Sequence, residues 1–175
     1  MTESSRETIL VVDDMPDNIA TMAEILGEEY RVVFATSGTD ALVAAREQPR
    51  PSLILLDLMM PGMDGFEVCR RLKADLRTQN IPVIFVTASG DGASEEQGLR
   101  LGGVDYLQKP CNPAIVRQRV RIHLDLHNQN KALERLVQER TEEIERTRRQ
   151  IVMRLARAGE YRDNQSGMHV ARMCL

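Results

Sequence analysis

Residues 53–65, LILLDLMMPGMDG, limit what this chain can fold into more than any other stretch. Four apolar residues, 53–56, run without alternation into Asp57. A strand with one wet face alternates apolar and polar residues, so an unbroken run marks a strand covered on both faces, as in parallel sheets. Pro61-Gly62 then turns the chain, and Asp64-Gly65 is a second turn signal ahead of a helical pattern. This puts Asp57 at the carboxyl end of a central strand, the edge where open α/β sheets bind their ligands. Taken alone, an Asp there does no more than begin a loop. The other strands carry the argument further.

Residues 9–12 (ILVV) form a second apolar run, and it too ends in acid, at Asp13-Asp14. Pro16 suits the first turn of a helix whose apolar face is Ile19, Met22, Ala23, Ile25 and Leu26, with Gly27 as its stop. Residues 31–35 (RVVFA) are β-rich, and Ser37-Gly38-Thr39-Asp40 opens a helix containing Ala41, Leu42, Ala44 and Ala45, closed by Pro49 and Pro51. After the Asp57 strand, Phe66, Val68, Cys69 and Leu72 line one side of the next helix. A strand over 83–86 (VIFV) ends at Thr87, and a helix over 94–101 stops at Gly102-Gly103. Residues 104–107 (VDYL) are a last short strand, running into Lys109-Pro110. Five alternations of strand and helix with short connections predict an α/β fold built on a doubly wound five-stranded parallel sheet. Asp13/Asp14, Asp57, Thr87 and Lys109 then all fall at carboxyl ends of strands, on one edge of that sheet.

Composition narrows the class. The chain has 175 residues, 42% of them hydrophobic, which suffices for one domain and an appendage. It has no apolar run of membrane-spanning length and no signal-peptide pattern in residues 1–8, so a cytoplasmic protein is expected, with no membrane partner. Cys69, Cys111 and Cys174 are far apart, without metal-ligand spacing, and read as free thiols. Residues 1–127 carry 13 Lys/Arg against 19 Asp/Glu, and residues 128–175 carry 10 against 7. That asymmetry marks a boundary near Asn128 and is too weak to argue for nucleic-acid binding.

Three carboxylates converging on one pocket repel each other unless a cation sits among them. Oxygen ligands without His or Cys favour Mg²⁺ over zinc. A carboxylate beside that metal can attack phosphorus and form an acyl phosphate, with the Thr87 hydroxyl and the Lys109 ammonium as donors to the phosphoryl oxygens.

VVDD at 11–14, DLMMPGMDG at 57–65, VTA at 86–88 and KP at 109–110 together resemble the receiver domain of two-component response regulators. The resemblance covers residues 8–127 and implies a flavodoxin-like sheet flanked by five helices. It implies that Asp57 is the phosphoacceptor, phosphorylated from a histidine of a sensor histidine kinase. Asp14 would bind Mg²⁺ directly and Asp13 mainly through water. Asp57 and the backbone carbonyl of Met59 would complete the metal site. Thr87 and Lys109 would contact the phosphoryl group, the bond before Pro110 would be cis, and Tyr106 would act with Thr87 as the aromatic switch. As residues in their own right, Tyr106 suits a half-buried edge aromatic, Met59, Met60 and Met63 suit loop packing, and Cys69 suits the core.

Asn112 can cap a helix begun at Pro113, and no Gly or Pro follows until Gly159. One helix reaching to about Arg157 is expected, coiled-coil-like in length and dimerising through residues 112–158. Its seam runs through Leu126, Leu133, Val137, Arg140, Ile144, Thr147, Ile151 and Ala158, and Arg140 and Thr147 weaken it. Glu142–Arg146 and Glu145–Arg149 are candidate ion pairs along it. His123 and His127, four apart, lack a third ligand and do not read as a metal site. The tail at 155–173, LARAGEYRDNQSGMHVARM, resembles the opening of an HD-GYP domain, a metal-dependent phosphodiesterase of cyclic di-GMP. There His169 would be an early member of the metal constellation, and Gln165 stands where a Glu ligand is frequent. The rest of that domain's motif does not occur in these 175 residues, so this chain is not expected to be an enzyme.

The expected organisation is a receiver over 1–127, a helical signalling linker over 128–158 and a truncated output-domain start over 159–175. The expected function is phosphorylation-controlled signalling through the last helix to a cyclic di-GMP phosphodiesterase domain. Two rivals stand beside it. A constitutively dimeric scaffold would ignore the state of Asp57. An aspartyl-nucleophile phosphohydrolase would need a second acid two residues on, where Met59 stands.

Overall fold

The computed structural model describes residues 6–88 and 92–173, with side chains beyond residue 155 and at 92–94 outside that description. Five strands, β1 (Thr8–Val12), β2 (Arg31–Ala35), β3 (Leu53–Asp57), β4 (Val83–Thr87) and β5 (Asp105–Gln108), alternate with five helices. The helices are α1 (Pro16–Leu26), α2 (Gly38–Ala44), α3 (Gly65–Ala74), α4 (Gly92–Arg100) and α5 (Pro113–Met173). All strand pairs are parallel, in the order β2-β1-β3-β4-β5. The doubly wound sheet read from the sequence is the one observed.

The apolar runs have the cause inferred for them. Every residue of β1, β3 and β4 is buried. Leu10, Val12, Ile54, Leu56, Val83 and Phe85 pack on one face, with Leu42 of α2 and Val68, Cys69 and Leu72 of α3. Ile9, Val11, Leu53, Leu55, Ile84 and Val86 pack on the other, with Ile19, Met22, Ile25 and Leu26 of α1 and Val116, Val120 and Leu124 of α5. Two cores share one sheet, so neither face can spare a polar residue. Each fully buried aliphatic side chain contributes about 1.5–3 kcal/mol. β2 is an edge strand, which is why Arg31 and Phe34 are exposed on it.

Local signals set the helix starts. The Ser37 and Asp64 side chains accept from the main-chain N–H groups of Asp40 and Glu67, capping α2 and α3. Asn112 Oδ1 accepts from Ala114 N at 2.9 Å at the start of α5. Gly102, at φ +97°, turns the chain after α4 through a left-handed conformation. Asp105 accepts from Arg119 Nη1 at 2.9 Å and lies 2.9 Å from His123 Nε2, which ties α5 to β5. His123 is therefore a packing partner of β5.

The chain divides into two units, Met1–Asn128 and Gln129–Leu175. The expectation that the last helix stops near Arg157 is corrected: α5 passes through Gly159 and continues to Met173. It also takes in Gly167, and each helical Gly costs only about 1 kcal/mol. Leu133, Val137, Ile144 and Ile151 are each more than half exposed on the second unit. Its polar contacts differ from the pairs anticipated. Glu142 accepts from Gln138 Nε2, Arg149 Nε donates to the main-chain oxygen of Glu145, and Arg140 pairs with Glu143 at 2.9 Å. The side chains of Ala158, Gln165 and His169, and Cys174 altogether, lie outside the described residues.

Candidate functional site

The strand order reverses direction between β1 and β3, and the site forms at their carboxyl ends. Main-chain bonds extend the ladder past the strands and hold the site loops. Asp13 N donates to Ala35 O, Leu58 N to Val86 O, and Lys109 N to Thr87 O at 2.8 Å. Gly65 N donates to Leu58 O at 3.0 Å, closing the loop that follows Asp57.

Oxygen atoms of Asp13, Asp14 and Asp57 all lie within 4.8 Å of one another. Asp13 and Asp57 are almost fully buried. Lys109 reaches in from the end of β5 and bridges them, its Nζ 2.7 Å from Asp13 Oδ2 and 2.8 Å from Asp57 Oδ2. The main-chain N–H of Met59 donates to Asp57 Oδ1 at 3.2 Å. The Lys109–Pro110 bond is cis. Thr87 ends β4, one residue beyond the Asp57–Val86 register pair, and is buried. The structure therefore brings Asp13, Asp14, Asp57, Thr87 and Lys109 to one edge.

Three carboxylates face one ammonium, leaving about two negative charges that a divalent cation would match. All the donors are oxygen, a set that suits Mg²⁺.

Burial, the largest influence, pushes the Asp57 carboxyl above its ordinary value, and Asp13 adds to this. Bonds from Lys109 and the Met59 main chain offset it only in part. Burial alone would depress Lys109, but its bonds to Asp13 and Asp57 outweigh that and hold its ammonium above its ordinary range. The folded state thus keeps a proton on Asp57 to higher pH than the unfolded chain does. Ionised Asp57 costs stability above that window, and the cost is relieved as pH falls. Asp57→Asn is therefore expected to melt at higher temperature than the native chain at pH 7 in EDTA, with the gap closing toward pH about 4. Thermal melts across that range check it. A variant that melts lower at pH 7 would show that the Lys109 bridge outweighs desolvation.

Tyr106 lies on β5 with its ring 5.1 Å from that of Phe85, centroid to centroid. Its hydroxyl abuts Gly98 of α4, where a Cβ would collide with it. Burial pushes its pKa up to about 12. Of the methionines after Asp57, Met60 is buried in the core, Met63 packs against it and Met59 is exposed. Cys69 is a buried core residue, and Cys111 is partly exposed.

Sequence reasoning missed one residue at this site. The Asn18 side-chain amide, in the first turn of α1, donates to both oxygens of Asp13, at 2.9 and 3.0 Å. The available signal was a polar residue five positions after Asp13, on the side of α1 that faces back to β1.

Residues 9–121 match the family model of the response regulator receiver domain. This chain belongs to that family. It is 41% identical, over 98% of its own length and 40% of the relative's, to a protein of Vibrio cholerae described as a probable cyclic di-GMP phosphodiesterase. It is 47% identical to response regulator PleD of Caulobacter vibrioides, over 65% of this chain and 25% of that protein. The chain thus spans well under half the length of these relatives. Among solved structures, the receiver domain of a Pseudomonas aeruginosa PAO1 sensor histidine kinase matches with a TM-score of 0.64 and 30% identity. The match covers 69% of this chain and 99% of that one, which holds a magnesium ion in its active-site cleft. No described helix is long and apolar enough to cross a membrane.

Proposed function

We propose that Asp57 accepts a phosphoryl group from a phosphohistidine of a sensor histidine kinase and that α5 carries the resulting change to an output domain. The observation that carries this reading is the Asp13–Lys109–Asp57 bridge beside Asp14, at the strand-order reversal of a receiver fold. A carboxylate oxygen of Asp57 forms the bond to phosphorus as the phosphorus–nitrogen bond of the donor breaks, its electron pair staying on the imidazole. Asp13, Asp14, Asp57 and the carbonyl of Met59 would hold Mg²⁺, which when bound offsets the negative charge of the incoming group. Lys109, already charged and within hydrogen-bond reach of Asp57, moves from carboxylate to phosphoryl oxygen, and the Thr87 hydroxyl donates to another. Tyr106, opposite Phe85 in the β4–β5 register and two residues short of the Thr87 pair, turns with Thr87, its ring held in the space that Gly98 leaves.

The output is a cyclic di-GMP phosphodiesterase domain, a reading supported by the Vibrio cholerae relative, which aligns along nearly this whole chain. The chain works in the cytoplasm as a homodimer through residues 112–158. The exposed apolar residues of the second unit support self-association. A phosphohydrolase is disfavoured because Met59, two residues after Asp57, supplies no general acid.

Analytical ultracentrifugation with Mg²⁺, with and without beryllofluoride as a phosphoryl mimic, tests the coupling. The mimic is expected to change the mass or shape of the native chain and leave Asp57→Ala unchanged. An identical dimer under all four conditions would favour the constitutive scaffold.

A further inference from the structure

The geometry points to Asn18 as the positioning residue of the metal site, acting through Asp13. Asp13 is buried, and its carboxylate is held from two sides. On the α1 side, Oδ1 accepts from Met15 N at 2.9 Å and from Asn18 Nδ2 at 2.9 Å, and Oδ2 accepts from Asn18 Nδ2 at 3.0 Å. On the β5 side, Oδ2 accepts from Lys109 Nζ at 2.7 Å. A carboxylate only accepts, so the Asn18 amide must turn its NH₂ toward Asp13. Asn18 is itself fixed, because its main-chain N–H donates to Met15 O at 3.1 Å in the first turn of α1.

The two sides differ in what function asks of them. Lys109 is shared with Asp57, so it leaves or loosens its hold on Asp13 when a phosphoryl group arrives. The Asn18 amide has no such second task. It spans both oxygens, which fixes the plane of the carboxylate as well as its direction. Without it, Oδ1 keeps one main-chain donor and Oδ2 keeps only Lys109, so the carboxylate turns toward the lysine and away from a cation. Outer partners that orient a metal ligand typically contribute 10–100-fold in metal affinity.

This inference rests on the proposed Mg²⁺ site, and the experiment separates the two. Isothermal titration of the unphosphorylated full chain with Mg²⁺ is compared for the native protein, Asn18→Leu, which keeps the size and removes the donor, and Asn18→Ala, which adds no bulk should the leucine disturb the fold. Thr21→Val, which loses only the Thr21–Asp17 bond within α1, is the control. Both Asn18 variants are expected to bind Mg²⁺ roughly tenfold more weakly, with the control unchanged. Phosphoryl uptake from a small phosphodonor should then need more Mg²⁺ but reach the native rate at saturation. That split distinguishes a mispositioned metal ligand from a damaged nucleophile. Native-like Mg²⁺ affinity in the Asn18 variants, or an equal loss in Thr21→Val, overturns the role of Asn18. No Mg²⁺ binding by the native chain overturns the site itself.

Discussion

Asp57→Asn is expected to reduce phosphoryl uptake from stoichiometric to background, whether the donor is a histidine kinase or a small phosphorylated compound. The substitution keeps the shape of the side chain and leaves Lys109 its bond to Asp13. It removes the only strongly nucleophilic oxygens at the end of β3, since a neutral amide oxygen carries no charge to donate toward phosphorus. Asp13 is the poorer nucleophile, because its two oxygens accept four hydrogen bonds, from Met15 N, twice from Asn18 and from Lys109, where the described bonds to Asp57 number two. Intact-mass spectrometry after incubation with phosphodonor and Mg²⁺ reads the result directly. Undiminished phosphorylation of the variant would move the acceptor elsewhere and end the reading of Asp57.

Gly65→Ala is expected to destabilise the receiver by about 3 kcal/mol, at the upper end of the usual overpacking range. Gly65 opens α3, and its N–H donates to Leu58 O at 3.0 Å. A Cβ there would collide with Asp57 O and stand 2.9 Å from Leu58 Cα and 3.1 Å from Asp57 C. All three are main-chain atoms, so no rotamer change relieves the collision. The loop must shift, and the first residues displaced are Asp57 and Leu58. The melting temperature should fall by roughly 10 °C, and phosphorylation should slow under conditions where the variant remains folded. Urea unfolding and uptake kinetics measured together check both effects. A variant as stable as the native chain would show that the loop has slack that this packing denies.

The two experiments probe different layers of one arrangement. Asp57→Asn removes chemistry and keeps the frame, whereas Gly65→Ala keeps every functional group and moves the frame. The site depends on both because its residues come from the ends of four separate strands. Each strand end is fixed by a main-chain bond to its neighbour, such as Lys109 N to Thr87 O at 2.8 Å. A displacement of one loop is therefore transmitted to the distances between charges, where Lys109 Nζ now sits within 2.8 Å of two carboxylates.

The sequence by itself determined the strands, their parallel class and the residues at their ends. A strand buried on both faces must be apolar throughout, so the end of each run announces itself, and the first polar residue beyond it is the candidate. That is why Asp13, Asp57 and Thr87 were legible from the sequence, whereas Lys109 lies past Gln108 at the end of β5, a partly exposed strand that contains Asp105, and was read from its place ahead of Pro110. The start of α5 was legible for a similar reason, since Asn112 and Pro113 act on the backbone next to them. Contacts that depend on how far two elements approach were not. The reach of Asn18 to Asp13 depends on the turn between β1 and α1. The need for Gly65 depends on how closely α3 returns to the Asp57 loop, and the need for Gly98 on the place of the Tyr106 ring. The end of α5 was misjudged because a helical Gly is a weak local stop signal, and α5 runs through both Gly159 and Gly167. Periodicity and local caps are properties of neighbours along the chain. Clearances of a few tenths of an ångström between distant segments arise only once the sheet and its helices have packed.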